Sequence, residues 1–89
     1  MADVPWDFSR EGRWHVRVCN SGDVPRFHVT ITGPQVTRTW QWYVFDAGAT
    51  KLIRVMPGDD AGLEVDISWF DTIDKSSEPR RWQDVPRPG

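Results

Sequence analysis

WHVRVCNSGDVPRFHVTITG, residues 14–33, is the stretch whose reading decides the fold class. It holds two period-2 segments joined by a polar bend. Trp14, Val16 and Val18 alternate with His15, Arg17 and Cys19. Phe27, Val29 and Ile31 alternate with Arg26, His28, Thr30 and Thr32. Alternation of this period marks a strand with one buried face and one wet face. Between the two segments, Asn20-Ser21-Gly22-Asp23 and Pro25 are turn formers. Asn and Asp bond their own backbone, Gly tolerates positive φ, and Pro fixes φ.

The same pattern extends outward in both directions. Trp6 and Phe8 alternate with Asp7 and Ser9, and Pro5 at the start of that strand suits an edge, where a missing N–H does no harm. Residues 10–13 read as a turn and residues 13–19 as the second strand, followed by 26–32, which Gly33-Pro34 ends. Residues 50–56 form a fifth strand with Ile53 and Val55 on one face and Leu52, Arg54 and Met56 on the other. Pro57-Gly58-Asp59-Asp60-Ala61-Gly62 is a strong turn. Leu63, Val65, Ile67 and Trp69 then alternate with Glu64, Asp66, Ser68 and Phe70. Residues 71–78 are a polar loop, and 79–85, with Trp82, make a last edge strand. Seven short strands with turns every 8–12 residues predict an all-β, seven-stranded antiparallel two-sheet sandwich. Residues 1–4 and 86–89 are expected to be tails around a domain over 5–85.

Residues 39–45, TWQWYVF, stand apart. Strand propensity is very high there, yet both alternation sets are apolar or aromatic. Trp40, Trp42 and Val44 form one set and Tyr43 and Phe45 the other, with Gln41 the polar exception. Either both faces are covered or one aromatic row is exposed.

The totals narrow the function classes. The chain has 89 residues, which fits one domain. A domain of that size buries only about 60–65% of its unfolded surface, so its six Trp and four Phe matter. Each buried aromatic contributes on the order of 4–6 kcal/mol gross, as an upper estimate. The formal net charge is −2 with both signs interspersed, and no basic stripe of the kind a phosphate-backbone binder shows is present. Nucleic acid is therefore not an expected partner. Nine Arg against two Lys suggest a GC-rich coding genome. Cys19 is the single cysteine, so no disulfide framework exists within one chain. The start lacks a basic segment with an apolar run, and no apolar stretch approaches a membrane span. A cytoplasmic protein with no membrane partner is expected, although a domain cut from a secreted parent would read the same way.

Chemistry-bearing residues are sparse. His15 and His28 have no His-x-His or His-x-x-x-His spacing, and one cysteine gives no CxxC, so no metal site is expected. Cys19 lacks a setting that would lower its pKa. Asp59-Asp60, with Asp23 and Asp46, read as turn residues rather than calcium ligands. Arg80, Arg81 and Arg87 read as a solvated edge. No phosphate-binding glycine loop is present, and no cofactor or catalytic residue is expected.

Asn20-Ser21-Gly22-Asp23-Val24-Pro25 with Phe27 and Val29 resembles the NxGDxP…(aromatic)xV loop of immunoglobulin- or fibronectin-like sandwich modules common in bacterial proteins. Pro57-Gly58 resembles their PG turn, Ile67-Ser68-Trp69-Phe70-Asp71 their V-T-W-x-D strand, and Arg80-Arg81-Trp82 their closing strand. The resemblance covers most of the chain, and residues 39–45 depart from it most. It implies that residues 20–25 arch between opposite sheets, with Trp14, Val16, Val18, Phe27, Val29 and Ile31 all inward and His15 and His28 on opposite outer faces. It also implies an accessory or interaction role. A non-enzymatic protein-interaction module is thus expected, contacting a protein partner or itself through Trp40, Trp42, Tyr43 and Phe45. Carbohydrate binding through the same aromatics is the alternative.

Overall fold

The computed structural model describes residues 4–56, 64–74, 78–84 and 86. Its strands are β1 (Trp6–Glu11), β2 (His15–Asn20), β3 (Arg26–Thr32), β4 (Trp40–Phe45), β5 (Thr50–Arg54), β6 (Val65–Phe70) and β7 (Arg80–Asp84). They form two antiparallel sheets, ordered β1-β2-β5 and β4-β3-β6-β7. No helix occurs among the described residues. The turn expected at Pro57-Gly58, with Asp59, Asp60 and Leu63, lies outside them.

One sandwich-like core lies between the sheets. The first contributes Trp6, Phe8, Val16, Val18 and Ile53; the second contributes Val29, Ile31, Phe45, Val65, Ile67 and Trp69. β1, β2 and β6 place alternate residues inward, as their period-2 runs imply. Aromatic edges lock the layers: Trp6 meets Phe45 at 5.0 Å and Trp69 at 5.7 Å, both T-shaped, and Phe8 stacks on Trp82 at 5.1 Å. Val55, inward with Ile53 as expected, pairs with Val36 in an isolated bridge beside β5.

Residues 21–25 carry the chain from β2 in one sheet to β3 in the other, so this bend is an arch and not a hairpin. Asn20 fixes it. This side chain is fully buried. Its Nδ2 donates to Val24 O (3.0 Å) and Phe45 O (3.1 Å), and its Oδ1 accepts from Gly22 N (3.0 Å). Its backbone also bonds Ala49 and Gly48. One turn-type residue therefore ties the arch to the end of β4 and to the turn after it.

Two inward expectations and one contact-face expectation are corrected. Trp14 is 46% exposed, because β2 starts at His15 and the turn before it carries Trp14 out beneath the Arg54 guanidinium. Phe27 is half-buried and lies outside the core cluster. Phe45, expected beside Tyr43 on a binding face, is a core residue at 0% exposure.

The last two share a cause. Phe27 pairs with Phe70 and Thr30 with Ser68, so β3 holds one more residue than β6 over that interval. His28, inside this bulge, has φ +50°. A bulge strengthens twist and re-aims side chains. Phe27 and His28 both turn outward, Tyr43 and Val44 across the ladder do the same, and Arg26 and Phe45 return to the inner side. Pro86, expected in a tail, is buried.

Candidate functional site

Among the described residues, β4 is an outer strand of the four-stranded sheet, bonded to β3 alone. The four aromatics expected as contact residues divide into three environments. Phe45 is core. Trp40 and Trp42 are half-buried and pack against the core from its margin, stacked on each other at 6.2 Å with planes 19° apart. The Arg38 guanidinium covers Trp40 at 4.2 Å, and Trp42 meets Phe45 edge-on at 5.3 Å. Tyr43 is 65% exposed and Val44 41% exposed, both on the outer face. The structure thus brings Trp40 and Trp42 together at the inner margin, places Tyr43 on the opposite side of the strand, and removes Phe45 from any surface.

Around Tyr43 the outer face forms a shallow cavity of about 350 Å³. His28 packs edge-on against Tyr43 (4.7 Å) and Phe70 (5.7 Å), and its Nε2 lies 2.6 Å from Ile73 O. Val29, Thr30, Gln41, Trp42 and Ser68 complete the lining. The register explains their convergence: Gln41 faces Thr30, Thr30 faces Ser68, and Ser68 faces Arg81, giving one polar row across all four strands. Strand by strand, Thr30 and Ser68 are wet-face residues, Gln41 is the polar exception of residues 39–45 and Arg81 belongs to a solvated edge. The signal that unites them is strand register, which alternation within a single strand does not contain.

A second cavity, of about 370 Å³, opens at the end of the sandwich and is lined by Val4, Pro5, Arg26, Trp69, Arg80, Arg81 and Trp82. Asp71 holds both Arg26 and Arg80, each at 2.7 Å, so this end has its own counter-charge. Cys19 is half-buried with a free thiol. No group of three or more His, Cys, Asp or Glu able to hold a metal occurs among the described residues; Asp59 and Asp60 lie outside them.

The four outer strands differ in how they meet solvent. β1 carries Asp7, Arg10 and Glu11, and β7 carries Arg80, Arg81 and Asp84. β5 carries Lys51 and Arg54 and is further covered by residues 35–37, where Met56 N donates to Gln35 O and Thr37 N to Arg54 O. β4 has no charged residue and no proline. Charges and prolines are the usual means by which an outer strand resists pairing with another chain. Comparisons with models of protein families, with curated proteins and with solved structures find no match to this chain.

Proposed function

We propose that this chain is a non-enzymatic, immunoglobulin-like interaction module that meets a protein partner, or itself, along β4. The observation that carries the reading is that, among the described residues, β4 is the one outer strand without charge, with its Tyr43 and Val44 exposed. An uncharged strand edge offers backbone donors and acceptors to an incoming strand, and flanking aromatic side chains supply contact area. The immunoglobulin-like assignment is supported by the inter-sheet arch after β2. It is also supported by the order β1-β2-β5 against β3-β6-β7, which follows the A-B-E and C-F-G neighbours of that architecture, with the fourth strand on the second sheet.

A photo-crosslinking residue placed at Tyr43 tests the reading, with the same residue at exposed Leu52 as control. Adducts concentrated at position 43 are expected. Equal or absent adducts at the two positions would remove β4 as the contact strand.

Carbohydrate binding is a second reading, favoured by one observation. The cavity beside Tyr43 combines aromatic walls, His28 and Phe70, with a floor of Thr30, Gln41 and Ser68. Trp42 lines it too, so its fluorescence should respond to oligosaccharide titration. A flat response across a broad glycan panel sinks this reading.

A further inference from the structure

The cavity of about 370 Å³ at the end of the sandwich has more cation and donor than the chain itself answers. Arg26, Arg80 and Arg81 line it, and among the described residues no acidic side chain does. Arg81 faces Ser68 on the outer side and shares two shallower depressions there with Asp66, so the balance rests on Arg26 and Arg80. Asp71 supplies one carboxylate to both: Oδ1 accepts from Arg26 Nη1 and Oδ2 from Arg80 Nε, each at 2.7 Å. Two guanidiniums against one carboxylate leave one positive charge unmatched. The unmatched donors are specific. Arg80 gives Asp71 its Nε, and its two terminal nitrogens have no partner among the described residues. That pair of N–H groups is the edge of a guanidinium that receives a carboxylate through two parallel hydrogen bonds. Arg26 is 17% exposed, and its Nε is buried with no acceptor. A buried donor without a partner is uncommon in a folded chain.

The remaining walls are apolar: Val4, Pro5, Trp69 and Trp82. Both indoles are held in place, Trp82 by stacking on Phe8 at 5.1 Å and Trp69 edge-on to Trp6 at 5.7 Å. A preformed aromatic wall beside a convergent charged group is the usual make-up of a small-molecule site, and the volume falls at the small end of that range. We infer that this cavity binds a small monocarboxylate with a flat apolar body. The carboxylate takes the terminal nitrogens of Arg80 beside Arg26, and the body lies against Trp82, Val4 and Pro5. One unmatched charge suits a monoanion, and the apolar walls suit a ligand that is more than its charge. β4 contributes nothing to this lining, so the inference stands apart from the contact reading.

Titration of the ¹⁵N-labelled full chain with 2-naphthoate, followed by the indole N–H signals, tests this. A Kd of about 1 mM or tighter is expected for a ligand of that size. The signals of Trp69 and Trp82 should move, and that of Trp14, before the opposite end of β2, should stay. 2-Naphthamide has the body without the charge and should bind about tenfold more weakly or worse; inorganic phosphate, with charge and no body, should do the same. Arg80→Gln, at a side chain 61% exposed, should weaken 2-naphthoate about threefold or more. Lys51→Gln makes the same change of net charge on the other sheet and should have no effect. Near-UV circular dichroism confirms that both variants are folded, and the comparison of acid with amide needs no variant. No shift at Trp69 and Trp82 up to about 10 mM overturns the proposal. So does an amide or phosphate that binds as well as the acid, or an Arg80→Gln chain that behaves as Lys51→Gln does.

Discussion

Asn20→Asp is nearly isosteric, and its cost follows from three hydrogen bonds. Nδ2 of Asn20 donates to the carbonyls of Val24 and Phe45, and Oδ1 accepts from Gly22 N. The carboxyl keeps the acceptor role toward Gly22 and loses the donor. At neutral pH a fully buried carboxylate oxygen would face two carbonyl oxygens. The group escapes by binding a proton, and that escape limits the penalty. Protonating a carboxyl of ordinary pKa about 3.9 at pH 7 costs about 4 kcal/mol. The neutral acid can donate to one carbonyl, leaving the other unpaired at about 1 kcal/mol. The variant should therefore lose about 3–5 kcal/mol at pH 7. A domain of this size has about 4–13 kcal/mol in total, so it would be close to unfolding.

The pH dependence is the sharper part. Burial and the two carbonyls raise the folded-state pKa of the introduced carboxyl above its unfolded value. Such a group contributes stability below the unfolded pKa and loses it as pH rises toward the folded one. The deficit relative to the unaltered chain should shrink from about 3–5 kcal/mol at pH 7 to about 1–2 kcal/mol at pH 4. Asn20→Ala, with no titrating group, should lose about 2–4 kcal/mol at both pH values. Urea unfolding followed by tryptophan fluorescence at pH 4 and pH 7 measures both. A deficit for Asn20→Asp under about 0.5 kcal/mol at pH 7, or one independent of pH, would refute the role assigned to Asn20.

Phe45→Ala should cost about 3–5 kcal/mol by opening a cavity against Trp6 and Trp42, whereas Tyr43→Ala, at an exposed position, should stay within about 1 kcal/mol; thermal melts distinguish a core residue from a surface one. At His28, φ +50° reverses the usual strand ranking: His28→Gly should be more stable than His28→Ile by about 1–2 kcal/mol, and chemical denaturation showing isoleucine ahead would contradict the bulge.

Much of the fold was legible because burial imposes period 2 on each strand. Trp6 and Phe8, Val16 and Val18, Val29 and Ile31, and Val65, Ile67 and Trp69 all lie inward as the alternation implies. The misreadings have local causes that alternation cannot contain. A single residue in the left-handed region shifts the inward set of β3 from one parity to the other. That residue is His28, with no glycine at the position to signal it. Once β3 changes phase, β4 follows through the ladder, and Phe45 passes from the face of Tyr43 to that of Trp42. Trp14 has the parity of Val16 but falls one residue before the strand. Asn20 is a turn former by type; its partners at positions 24 and 45 appear only when the sheets are assembled. For the candidate site, the sequence showed that residues 39–45 are uncharged, while sheet order showed that they form an edge.

The placement of charges also limits how far an association through β4 can extend. An open-ended sheet grows when both of its edges accept a neighbour. In the four-stranded sheet one edge is β4 and the other is β7, which carries Arg80, Arg81 and Asp84 in five residues. Antiparallel pairing of β4 with itself is isologous and uses that edge completely in each copy. The resulting eight-stranded sheet ends on β7 at both sides. A register centred on Trp82 between two β7 strands would match Arg80 with Asp84 at both ends, but it sets Arg81 against Gln83 with no counter-charge. Arg80 is also already engaged by Asp71, so a new pairing there would compete with an existing one. Pairing through β7 therefore competes with the Arg80–Asp71 ion pair and leaves Arg81 without a counter-charge in that register, a cost that the uncharged β4 does not impose.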